Sequence, residues 1–194
     1  MKTVGVGGPP GSGKSAVIRL LSRRKDVRAI DLDRVAWGVY RPGTPCFAAL
    51  VAEFGLGILG DDGAVDRRLL AEQAFATESR RQRLHTIVHP AVNEWLQRRL
   101  SEETPPGTAV LLVEGALLGI SPHVDYSLFD AVVWLDAPPA VLAARLAVAG
   151  RRGHLERWRV HPFVHRVIRI DAVGTIEEVG ARLMAAVERL PARE

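Results

Sequence analysis

Near the N-terminus, Gly8-Pro9-Pro10-Gly11-Ser12-Gly13-Lys14-Ser15 satisfies G-x-x-x-x-G-K-[ST] at every fixed position. Each of these residue types answers a chemical need. Glycines let successive backbone N–H groups turn inward as an anion nest, and the helix that follows adds its positive N-terminal end. Lys14 reaches the β- and γ-phosphates of a nucleotide as a point charge, and the Ser15 hydroxyl is a magnesium ligand. The segment Gly8, Pro9, Pro10, Gly11, Ser12, Gly13, Lys14, Ser15 and Ala16 is therefore the expected site for the phosphates of ATP, with Mg2+ at Ser15.

Carboxylates at strand ends supply the other half of a phosphoryl-transfer site. Asp31-Leu32-Asp33 follows the short apolar run Val27 to Ile30, where a positioned carboxylate takes the proton of an attacking hydroxyl. One or both of Asp31 and Asp33 are expected to serve as that base or to contact the substrate; a helix cap is the alternative use of either. Glu114 closes the apolar run Ala109 to Val113, and Asp136 closes Ala131 to Leu135. At Glu114 the carboxylate either orients magnesium waters or the acceptor, or pairs with an arginine.

The elements needed to position these groups are legible around them. Residues 3–7 read as a β-strand running into the glycine loop. Ala16, Val17, Leu20 and Leu21 then recur at helical spacing. A loop marked by Arg41-Pro42-Gly43-Thr44-Pro45 precedes a helix through Phe54, and Gly60-Asp61-Asp62-Gly63 is a turn. Residues 66–100 read as mostly helical, with Pro90 expected to end one helix and begin another. A helix is expected over 139–148, a last strand from Val167 and a last amphipathic helix from Ile176 to Leu190. Strands alternating with helices imply a parallel sheet, with ligands at the carboxyl ends of its strands. The expected fold is thus α/β, a P-loop NTPase three-layer sandwich. Its core is 1–38, 106–148 and 165–194; 39–105 is a helical acceptor-substrate insertion and 149–164 a lid.

Composition narrows the class. The 194 residues are 47% hydrophobic and 25% charged, enough to bury a core. Net charge is +4, and lysine occurs only at Lys2, Lys14 and Lys25, so arginine supplies nearly all the positive charge. That balance suits an enzyme with phosphorylated substrates; no block of like charges points to nucleic acid. Cys46 is the single cysteine, which rules out an intrachain disulfide and suits a reducing compartment. The N-terminal residues run straight into the glycine loop, so no signal peptide is expected, and no apolar run reaches membrane-spanning length. The expectation is a cytoplasmic protein, monomeric or a small homo-oligomer, with no membrane partner.

Several short patterns fall in a family order. They are Gly7-Gly8 to Ser15, Ile30-Asp31-Leu32-Asp33, Pro42-Gly43-Thr44-Pro45, Phe54-Gly55, Asp62-Gly63, Asp66-Arg67 and His89-Pro90-Ala91-Val92, followed by Phe129 to Pro138 and Arg145-Leu146. In this order and spacing the chain resembles dephospho-coenzyme A kinase over most of residues 3–146. The resemblance implies transfer of the ATP γ-phosphate to the ribose 3′-hydroxyl of dephospho-coenzyme A. It implies Asp33 at that hydroxyl, Lys14 and Arg145 among the catalytic residues, and Arg67 and His89 facing the acceptor. Arg67 pairing with Asp62 or Asp66, and His89 as a helix cap, stand as structural alternatives.

The chain departs from the pattern at Glu114-Gly115, which resembles uridine kinases, and at Trp37, where the family carries an arginine nearby. It also departs in a short lid rich in arginine, including Arg151 and Arg152. A nucleoside or other small-molecule kinase is accordingly a second reading. A nucleic-acid-associated ATPase is a third, motivated by the basic charge.

Overall fold

The structure is a computed structural model and describes residues 1–102, 105–115, 118–150 and 167–191. It divides into two compact units. One comprises Met1–Asp31, Thr104–Pro122 and Tyr126–Glu194; the other comprises Leu32–Glu103 with His123–Asp125.

The first unit is an α/β structure around a five-stranded sheet. Its strands are β1 (Lys2–Gly7), β2 (Val27–Asp31), β3 (Val110–Glu114), β4 (Ala131–Asp136) and β5 (Val167–Asp171). They lie in the order β2-β3-β1-β4-β5, and every pairing is parallel. The register places Val6 beside Glu114, Glu114 beside Asp31, and Asp136 beside Asp171, so these carboxylates share one edge of the sheet.

Apolar runs are what a parallel sheet buried on both faces requires. Alternate residues Val4 and Val6, Val110 and Leu112, and Val133 and Leu135 enter one core. There they meet Val17, Ile18 and Leu21 of α1 (Lys14–Leu21) and Leu142 of α6 (Pro139–Val148). Val179, Leu183, Met184 and Val187 of α7 (Ile176–Glu188) join the same core. The intervening residues Val113, Val132 and Trp134 are buried as well. Helix α7 starts at a full capping box, in which Thr175 Oγ1 accepts from the Glu178 N–H and the Glu178 carboxylate accepts from the Thr175 N–H.

The second unit is helical. It holds α2 (Leu32–Val39), α3 (Pro45–Phe54), α4 (Arg67–Ala74) and α5 (Glu78–Ser101), with a 3-10 turn at Leu56–Ile58. Tyr40, Cys46, Leu50, Phe54, Ile58, Leu70 and Ala74 form its core. Local chemistry sets the helix starts. Thr44 caps α3, with Pro45 in the first turn; Asp66 caps α4; Thr77 caps α5. Within this unit, which begins at Leu32, α2 packs against α5.

Pro90 corrects one expectation. It does not end a helix: α5 runs through it from Glu78 to Ser101, and the interruption falls earlier, between α4 and Thr77. Proline removes one donor, the N–H that would reach the Thr86 carbonyl, and costs about 3 kcal/mol in a helix interior. Burial of His89, Val92 and Leu96 on one side of α5 offsets that cost. Pro90 itself is exposed.

Candidate active site

The glycine loop leaves β1 at Gly7 and enters α1 at Lys14, as strand–loop–helix order demands. Gly13 caps α1 in the left-handed region at φ 89°, and its carbonyl accepts from the Ala16 and Val17 N–H groups. Gly8, at φ 145°, has no room for a side chain, since a Cβ there would come within 2.3 Å of the Leu135 carbonyl oxygen. The loop is thus wedged between β4 and its own interior, with Ser12 buried at 1% exposure.

Lys14 Nζ lies over the loop and donates to the carbonyls of Gly8 at 2.6 Å and Pro9 at 3.0 Å. Its ammonium is held where the nest gathers its donors. Ser15 is exposed, and its Oγ donates to Glu114 Oε2 at 3.0 Å. Once the hydroxyl proton is committed to that carboxylate, the lone pairs of Oγ face outward, as a hard-cation ligand needs. Asp31 stands beside Glu114 in the sheet register. Among the described residues no group of three or more His, Cys, Asp or Glu side chains makes a protein-only metal cage. The hydroxyl of Ser15 and the carboxylate of Glu114 are hard oxygen donors, the kind that suits a cation which keeps several waters and shares phosphate oxygens, as magnesium does.

Arg145 completes this side. It lies in the last turn of α6, against which Gly11 of the loop packs. The guanidinium donates to the Gly11 carbonyl at 3.5 Å and to the Gly174 carbonyl, in the turn before α7, at 3.4 Å. Asp136, by contrast, takes a local role, accepting from the Ala137 N–H and pairing with Arg169 at 3.4 Å.

In the helical unit, Asp33 is exposed in the first turn of α2. Trp37 is one turn further along and 42% exposed, and the Arg67 guanidinium carbon lies 3.9 Å from the centre of its ring. Asp66 spends its carboxylate on the N–H groups of Arg68 and Leu69, which hold it below the ordinary carboxylate range. Burial pushes the Tyr40 hydroxyl up, and the positive charge of Arg67 opposes that rise. Sequence reasoning placed Arg67 in the acceptor set but missed its partner. The signal was available: Leu32, Val35, Ala36 and Val39 recur at helical spacing and put Asp33 and Trp37 on one face.

His89 is placed differently from a surface contact. It is 8% exposed, and its ring lies 5.2 Å from that of His85 and 5.7 Å from that of His123. Burial, then the two neighbouring imidazoles, pulls it from 6.5 to about 4, so the ring is neutral at ordinary pH. Asn93 on α5 ties in the His123 segment, donating to the His123 carbonyl and accepting from the Asp125 N–H. This burial fits a part in holding the helical unit together. Residues 151–164 of the expected lid, Arg151 and Arg152 among them, lie outside the described residues.

A phosphate loop, a serine–glutamate pair and a parallel sheet identify a superfamily rather than a family. The order of motifs along the chain decides further, and the family model for dephospho-CoA kinase matches residues 2–148. The chain belongs to the dephospho-CoA kinase family. A dephospho-CoA kinase from Thermobifida fusca is 38% identical, covering 100% of this chain and 98% of that protein. One from Frankia casuarinae is 42% identical over 77% of this chain, and the match spans 63% of that longer protein. Among solved structures, TT1252 from Thermus thermophilus superposes with a TM-score of 0.70 at 26% identity, covering 98% of each chain. Among the described residues of this dephospho-CoA kinase family member, no helix is long and apolar enough to cross a membrane.

Proposed function

We propose that the chain transfers the γ-phosphoryl group of ATP to the ribose 3′-hydroxyl of dephospho-coenzyme A. The observation that carries the donor half is the loop over which Lys14 lies, with Ser15 bonded to Glu114 at its mouth. Family membership carries the acceptor half.

In this reading the backbone N–H groups of Gly11 to Ser15 hold the β- and γ-phosphates, and Lys14 exchanges its loop carbonyls for phosphate oxygens. Arg145 faces the same phosphates from α6. Ser15, backed by Glu114, would hold a magnesium ion, which supplies charge neutralisation to the phosphates when bound. Asp33 accepts the proton of the 3′-hydroxyl as its oxygen attacks the γ-phosphorus. The bond from that phosphorus to the bridging oxygen breaks, and ADP leaves. Arg67 receives the acceptor's diphosphate. Catalysis of this kind is mostly placement and charge, so the residues that matter are donors and cations fixed before the substrates arrive.

The test is direct. Purified protein with magnesium and ATP converts dephospho-coenzyme A to a product one phosphate heavier, and a 3′-deoxy acceptor gives none. Lys14→Ala lowers this turnover by about a hundredfold to a thousandfold with an unchanged far-UV circular dichroism spectrum. Wild-type turnover no higher than that of Lys14→Ala would refute the proposal.

A further inference from the structure

In the helical unit the Arg67 guanidinium carbon lies 3.9 Å over the centre of the Trp37 ring, and both residues are exposed. An arginine on a helix surface ordinarily samples many rotamers, and ordering it costs on the order of 1–2 kcal/mol. Here its guanidinium carbon is held 3.9 Å from the centre of an indole ring. A guanidinium that packs face-on against an aromatic ring keeps the N–H donors around its edge, which grip a phosphate through two oxygens.

Position along α2 gives the stack its meaning. Asp33 and Trp37 are four residues apart in one helix, so their side chains share a face, about 6 Å apart along the axis. An adenosine ribose separates its 3′-hydroxyl from its 5′-phosphate by C3′, C4′, C5′ and one ester oxygen, a comparable span. A ribose with its 3′-hydroxyl at Asp33 therefore brings its 5′-diphosphate to the cation one turn along.

We propose that Trp37 is a positioning residue for the acceptor: its indole fixes Arg67 to receive the 5′-diphosphate while Asp33 takes the 3′-hydroxyl. The assignment deepens the kinase reading above and rests on it. It also sets a substrate requirement, since an acceptor without a 5′-phosphate group gains nothing from the stack. Dephospho-coenzyme A and ADP carry that group, and adenosine does not.

The experiment is a double-mutant cycle in steady-state kinetics with the full chain. Trp37→Leu, which keeps apolar bulk but has no aromatic face, should raise the KM for dephospho-coenzyme A about fivefold, with kcat and the KM for ATP within about twofold of wild type. Trp37→Phe should recover most of that loss. Adding Trp37→Leu to Arg67→Ala should cost nothing further, because the indole acts only through the guanidinium. With adenosine as acceptor, Trp37→Leu should match wild type. The assignment is overturned by an unchanged acceptor KM in Trp37→Leu, by additive losses in the double variant, or by a Trp37→Phe as impaired as Trp37→Leu. Wild-type protein with no turnover of dephospho-coenzyme A overturns the kinase reading and this assignment with it, whereas turnover with additive losses overturns this assignment alone.

Discussion

Acid should weaken this protein chiefly through one residue. The His89 ring is neutral in the folded chain because burial, then the charges that His85 and His123 would carry, oppose its protonation. In the unfolded chain nothing does, so as pH falls the unfolded state takes up the proton first. The stabilisation is therefore complete above 6.5, declines as pH drops through the interval between 6.5 and about 4, and is fully lost below it. The difference between those two values is worth on the order of 3 kcal/mol. That is a large share of the 5–15 kcal/mol typical of a domain. His85 adds in the same direction, lowered mainly by burial and next by Arg81, with Glu78 opposing. Urea unfolding followed by circular dichroism, from about pH 8 down to about pH 4.5, would measure the decline as a falling midpoint at constant slope. Glutamine cannot take up a proton here, so His89→Gln should be less stable than wild type at the alkaline end yet lose less on acidification. Parallel pH profiles for the two proteins would refute the reasoning, as would a His89 ring titrating near 6.5 by NMR.

Two further substitutions probe the donor side. Glu114→Gln keeps the shape at Ser15 but removes a charge, and should lower turnover about tenfold to a hundredfold while raising the magnesium concentration needed for half-maximal rate; an unchanged magnesium dependence would detach Glu114 from the cation. Gly8→Ala forces a Cβ toward the Leu135 carbonyl at an unfavourable φ and should cost about 2 kcal/mol or more of stability together with ATP turnover, read by thermal melting and the kinase assay.

The parts of the fold that were legible are those governed by local backbone chemistry. The glycine loop announces itself because phosphate recognition there uses main-chain N–H groups, and only a few residue types permit the turn. Strand ends were legible for the same reason, since apolar runs closed by Asp31, Glu114 and Asp136 mark where a parallel sheet stops. Pro90 misled because a local rule was outweighed by packing of His89, Val92 and Leu96, which no single position declares. The histidine cluster was invisible too. His85 and His89 are one turn apart, but His123 lies far along the chain and joins them only in the folded unit.

The departures from the family pattern bear on different substrates. Glu114-Gly115, read alone, suggested a nucleoside acceptor, because a strand-end acid serves either a magnesium shell or an acceptor hydroxyl. The carboxylate accepts a hydrogen bond from the hydroxyl of Ser15, inside the phosphate loop. That contact favours a part for Glu114 beside the phosphates over one at the acceptor hydroxyl, which weakens Glu114-Gly115 as a ground for a nucleoside acceptor. Trp37 lies in the helical unit, on the face of α2 that also bears Asp33, and under the proposed assignment a change there bears on the acceptor. An indole cannot replace an arginine's charge, but it can hold the charge of Arg67 in place. Under that assignment, discrimination among acceptors should follow the phosphate they carry rather than the base.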